Sequence, residues 1–166
     1  MKSASFTFKL SGPSPRDPLS IFHLAQAFFL AGKRCLLDIA VGPGTVQILV
    51  SPGVVNLCFS LELFMKSLIV RHGRESPKTH NLAELAGLLP ATDLAAVRGV
   101  YQQRVQAPSF DELLAEVSQF FVKLRYEYEF DIFSLNEHPV SVLADALYRH
   151  CAERHKSESK VTGVRT

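Results

Sequence analysis

Apolar positions recur at helical spacing along most of the chain and divide it into about five to six helices. The first spans about Pro18 to Asp38, with Ile21, Leu24, Ala25, Phe28, Phe29 and Ala31 on one face. Two glycines and a proline then break the pattern in Val41–Ser51, which reads as a loop with Val46–Val50 a candidate extended piece. Ser51-Pro52 offers an N-cap and a proline in the first turn of a central helix that stops near Gly73. Asn81 and Glu84 suit a cap on a short helix closed by Pro90, and a fourth helix covers Asp93 to Val105. Ser109 and Glu112 form a capping box for a fifth, whose inner face carries Leu113, Leu114, Val117, Phe120, Phe121, Leu124 and Tyr128. A last helix presents Val140, Leu143, Ala144, Leu147 and Cys151. With little strand signal, the expected class is all-α, an up-and-down bundle. Residues 1–17 form an extended segment and linker containing SFTFKL, 18–155 the bundle, and 156–166 a flexible polar tail.

The central helix is the most informative element. GVVNLCFSLELFMKSLIV, residues 53–70, is apolar nearly all round, with only Glu62 and Lys66 charged. Such a helix belongs in a bundle core or a membrane. The central charges favour the core, because each costs roughly 2.5–3.5 kcal/mol at mid-bilayer. Glu62 and Lys66 stack at i,i+4. Inside a bundle they need partners, so Arg125 or Tyr126 is expected to reach Glu62. Arg125 lies at the border of the fifth helix's apolar stripe, flanked by Tyr126 and Glu129. Its guanidinium suits a structural ion pair with a carboxylate or, alternatively, a phosphate.

Composition narrows the function classes. At 166 residues and a net charge of +2, bulk electrostatics do not mark a nucleic-acid binder, so any RNA contact needs a local patch. Arg71, His72, Arg74 and Lys78 form one positive loop, either solvated cations at a helix C-terminus or a phosphate-contacting segment. Cys35, Cys58 and Cys151 have no metal or disulfide spacing and read as reduced thiols of a cytoplasmic protein. No dinucleotide, P-loop, zincin or nucleophile-elbow motif occurs, and neither a metal nor a cofactor is expected. His80 beside a helix start suits local hydrogen bonding or a compensating base, while His150 and His155 near the polar tail read as solvated.

LELFMKSLIVRHG, KTHNLAEL and a late FVKLRYEYE follow one another in an order that resembles the HEPN domain family (higher eukaryotes and prokaryotes nucleotide-binding). The resemblance covers roughly residues 18–155. It implies a helical bundle, commonly a homodimer, found among RNA-cleaving toxins and partners of nucleotidyltransferases in toxin–antitoxin and defence systems. It also places a histidine at His80. Catalytic members carry an arginine and, after four to six intervening residues, a histidine. The arginine maps to Arg125, but Phe130, Asp131 and Ile132 occupy the histidine window.

The resulting expectation is a non-catalytic or divergent module that binds a nucleotide, RNA or a protein partner. Glu62, Lys66, His80, Arg125, Tyr126 and Glu129 would form its polar centre. The alternatives are a metal-independent endoribonuclease using Arg125 with a displaced proton-transfer residue, and a purely structural subunit of a hetero-complex.

Overall fold

The computed structural model describes residues 17–123 and 136–161. Six helices among them form the expected bundle: α1 Pro18–Cys35, α2 Val50–Arg71, α3 Leu82–Leu88, α4 Ala91–Gln102, α5 Phe110–Lys123 and α6 Glu137–Val161. The last runs into the stretch expected as a tail. Residues 36–49 add a small hairpin.

α2 is the hub. By length and apolarity it could cross a membrane, but 72% of its most apolar window is buried inside the protein. Val54, Leu57, Leu61, Phe64, Met65 and Leu68 are wholly enclosed. α1 makes the broadest contact with it, and α6 covers a second side. α1 and α2 meet closely where neither carries a side chain. A Cβ on Gly32 would lie 2.9 Å from the Gly53 carbonyl oxygen, and one on Gly53 would lie 2.8 Å from Leu36. α6 contributes the apolar face its periodicity predicts: Val140, Leu143, Ala144, Leu147 and Cys151 are all fully buried.

Local signals set most of the boundaries. Asp17 caps α1 by accepting from the Leu19 and Ser20 amides, and its carboxyl is held below the usual range chiefly by the Ser20 hydroxyl. Asn81 Oδ1 accepts from the Ala83 and Glu84 amides at the start of α3. Both bonds of the Ser109–Glu112 capping box are present. α2 ends with His72 as its cap and Gly73 at φ +78°, where a left-handed conformation suits glycine.

Three local expectations are corrected. The Val41–Ser51 loop contains an antiparallel hairpin, β1 Ile39–Gly42 with β2 Thr45–Gln47, paired as Ile39↔Gln47, Ala40↔Val46 and Gly42↔Thr45 with a bulge at Val41. Its turn is Pro43-Gly44, Gly44 having φ +70°, so the residues that break a helix here make a tight turn between β-branched positions. Ser51 is not the cap of α2. Helix begins at Val50, with Leu49 as the cap and no side-chain bond, so Pro52 falls in the first turn, where its missing N–H is not needed. α4 begins at Ala91 rather than Asp93, because Pro90 both ends α3 and supplies the carbonyl that accepts from the Asp93 and Leu94 amides.

Candidate functional site

Glu62 and Lys66 share one face of α2, with side chains only 7% and 8% exposed. Lys66 Nζ donates to Glu62 Oε1 at 2.8 Å. His80, from the loop ahead of α3, places Nδ1 at 3.0 and 3.1 Å from the two carboxylate oxygens. The loop is pinned around it: Thr79 Oγ1 accepts from the Asn81 amide, and Ser118 Oγ accepts from the Leu82 amide. Three of the expected site residues therefore form one cluster. Its acid and ammonium are enclosed, whereas the imidazole is 79% exposed. With Nδ1–H donated to Glu62, Nε2 carries a lone pair and is the atom available to water or a ligand.

Arg125, Tyr126 and Glu129 lie outside the described residues, and with them the expected pairing of Glu62 to Arg125 or Tyr126. Burial of the Glu62 carboxylate is met by Lys66 and His80.

A second ionic centre has no counterpart in the sequence-based expectations. Asp93, in the first turn of α4, has no exposed surface. Its Oδ2 lies 2.8 Å from His72 Nε2, and Oδ1 lies 2.9 Å from His150 Nε2 and also accepts from Arg154 Nη2. One carboxylate thus ties the C-terminus of α2 and one face of α6 to the start of α4. Burial pushes its pKa up, but the bonds from His150, His72 and Arg154 outweigh that and hold it below the ordinary value. His150 is not solvated as expected. Neither is His155, which is 8% exposed with Nε2 at 3.0 Å from Ser67 Oγ. That serine donates its only hydroxyl proton to the Pro18 carbonyl, so it accepts from the imidazole and fastens α1 to α2 and α6. The direction is opposite to that of an activated nucleophile.

A family model for the HEPN domain matches residues 55–146. The chain belongs to the HEPN domain family. No curated protein and no solved structure matches it. The matched span begins within α2 and ends within α6. It contains Glu62, Lys66, His80 and Asp93 but not His150 or Arg154, so the Asp93 centre of this HEPN protein is completed from beyond the matched region.

No group of His, Cys, Asp or Glu among the described residues is arranged to hold a metal ion. In the Asp93 centre the imidazole Nε2 atoms and a guanidinium donate to the carboxylate, the reverse of a ligand set aimed at a cation. Burial pushes the Cys58 thiol of this HEPN chain up to about 12 and raises that of Cys151 as well, which disfavours the nucleophilic thiolate at both.

Proposed function

We propose that this chain is a non-catalytic or divergent HEPN module that binds RNA, a nucleotide or a protein partner through the His80 side of the Glu62 cluster. Work in the cytoplasm, as a homodimer and within a toxin–antitoxin or defence-type system, belongs to the same proposal. A partner protein of nucleotidyltransferase type fits that setting. The observation that carries the reading is the contrast within the cluster. Glu62 and Lys66 neutralise each other below the surface, and the outward group is an aromatic imidazole with one free nitrogen. Such a ring can stack on a base and hydrogen-bond to its edge. Phe130, Asp131 and Ile132, where the family's catalytic histidine would stand, support binding without cleavage. Binding of short RNAs and nucleotides, followed by thermal shift, tests this. A shift that disappears in His80→Ala is expected, and no shift with any ligand would favour a structural subunit.

One observation favours cleavage as the second reading. A carboxylate that fixes Nδ1–H of a solvent-facing imidazole leaves Nε2 poised to accept a proton. His80 would then be the displaced proton-transfer residue, with Arg125 stabilising the phosphate. Incubation with total RNA in the presence of chelator separates the two. Cleavage lost in both Arg125→Ala and His80→Ala would replace the binding-only reading.

A further inference from the structure

A cavity of about 190 Å³ opens between α3, α4 and α5 and shares no lining residue with either ionic centre. Each helix lines it with residues one turn apart: Ala83 and Gly87 from α3, Leu94 and Arg98 from α4, Asp111 and Leu114 from α5. The walls are aliphatic or bare backbone, and the two charged side chains stand toward solvent, Arg98 37% and Asp111 70% exposed. Arg98 Nη2 donates to Asp111 Oδ1 at 2.7 Å. Behind the guanidinium lies the buried ring of Phe110, its centroid 4.9 Å from the Arg98 carbon, and that ring packs edge-to-face on Tyr101. The cation is thus anchored on the core by its contact with a ring face. Gly87 carries a separate sign of kept space. It is not left-handed, a Cβ there would meet nothing within 4 Å, and alanine is the better helix former. Neither conformation nor close packing calls for a glycine here, but the width of the cavity does.

The bond to Asp111 engages one N–H of a guanidinium that has five. An exposed pair of this kind is held only weakly in water, so a ligand that carries both charges can part it. Its carboxylate would go to Arg98 and its ammonium to Asp111. An anion alone would gain Arg98 but meet Asp111 as a like charge, and a cation alone would meet the reverse. Between the charges and the cavity floor, the ligand must be hydrocarbon. A free aliphatic α-amino acid has all three features, with both charges on one carbon and a branched apolar side chain beside them. The volume agrees, since an apolar cavity of roughly 150 Å³ already holds a benzene ring. We propose that this cavity binds a free aliphatic α-amino acid, of the leucine, isoleucine or valine kind. Arg98 takes the carboxylate, Asp111 takes the ammonium, and Leu94 and Leu114 enclose the side chain against Gly87. Phe110 is the positioning residue for Arg98.

The test titrates the full chain with L-leucine, L-isoleucine and L-valine, followed through the amide resonances of Ala83, Gly87 and Leu94. Three comparison ligands each lack one feature: 4-methylpentanoate the ammonium, 3-methylbutylamine the carboxylate, and glycine the side chain. Saturable shifts are expected with at least one of the three amino acids. Each comparison ligand should bind at least about tenfold more weakly, the size of one lost charge-assisted bond or one unburied aliphatic side chain. Arg98→Gln and Asp111→Asn should each weaken amino-acid binding by a similar factor. Gly87→Leu should abolish it, because the new side chain enters the open room, while the melting temperature stays at or above the wild-type value. If Gly87→Leu does not fold, Asp111→Asn, at a position 70% exposed, decides alone. No saturable shift with any of the three amino acids overturns the site. So does equal affinity for 4-methylpentanoate or the amine, or wild-type affinity in Asp111→Asn. RNA or nucleotide binding through His80 uses none of these residues, so the two readings fail separately.

Discussion

Glu62 and Asp93 are both buried carboxylates answered by basic side chains, yet they are built in different ways. Glu62 draws on a lysine one helical turn away and on a loop histidine, and the cluster opens to solvent through that ring. Asp93 draws on partners 21, 57 and 61 residues distant, and its centre joins three helices. A local pair can adapt when one member is lost, because Lys66 has a long stem that can carry its charge to the rim. A node between helices cannot adapt without moving them. The same elementary interaction thus decorates one helix in the first case and sets the bundle in the second.

Removing each acid is the strongest way to break this comparison. Asp93→Ala leaves two imidazoles and a guanidinium around a void and should cost ~3–5 kcal/mol, as for other buried ionic networks stripped of one partner. Glu62→Ala should cost less, about 1–3 kcal/mol, since only Lys66 loses a buried partner and can reorient. Urea denaturation of both variants measures the gap. Equal losses would mean that Asp93 is no more of a keystone than Glu62.

Acid titration sharpens the same contrast without touching packing. The folded-state pKa of Asp93 is depressed, so its contribution is complete above the unfolded value of 3.8 and is lost as pH falls through the lower folded value. Asp93→Asn should therefore be less stable than wild type near neutral pH. The difference should narrow as pH falls below 3.8, because the wild-type carboxyl also becomes neutral. Stability against pH for the two proteins checks this, and a constant gap down to the lowest pH would remove the aspartate charge from the explanation.

Much of the architecture was legible because its causes are local. The apolar circumference of residues 53–70 made α2 the hub, and the Asn81 and Ser109 caps could be read from residues three apart. Glu62 and Lys66 were legible as a pair by their i,i+4 spacing, and His80 was singled out by its place in KTHN. The hairpin was missed because Gly42, Pro43 and Gly44 look the same in an irregular loop as in a two-residue turn until the flanking strands are seen to pair. Asp93 was missed for a deeper reason. In sequence it is an ordinary acid in a helix's first turn, a favoured position on dipole grounds alone. Nothing local distinguishes it from an exposed residue, and its burial is created by α2 and α6. The one hint was the set His72, His150 and Arg154, where His150 and Arg154 are four apart and share a helix face, a spacing that points to a common partner without naming it.

The smallest expected effect separates structure from function at the open end of the Glu62 cluster. His80 is 79% exposed, so His80→Ala removes little packing and should change stability by no more than about 0.5 kcal/mol, the ordinary range for surface substitutions. Glu62 keeps Lys66 as a partner in that variant, which is why the change stays small. His80→Gln keeps a hydrogen-bonding group at the same place but removes the aromatic face and the nitrogen that can exchange a proton. Thermal denaturation of both variants beside RNA or nucleotide binding gives the discriminating pattern. If the imidazole is held outward for a ligand, both keep wild-type stability and both lose binding. A destabilisation of 2 kcal/mol or more would instead show that the ring is there to complete the neutralisation of Glu62, and the two carboxylates would then be alike in being structural.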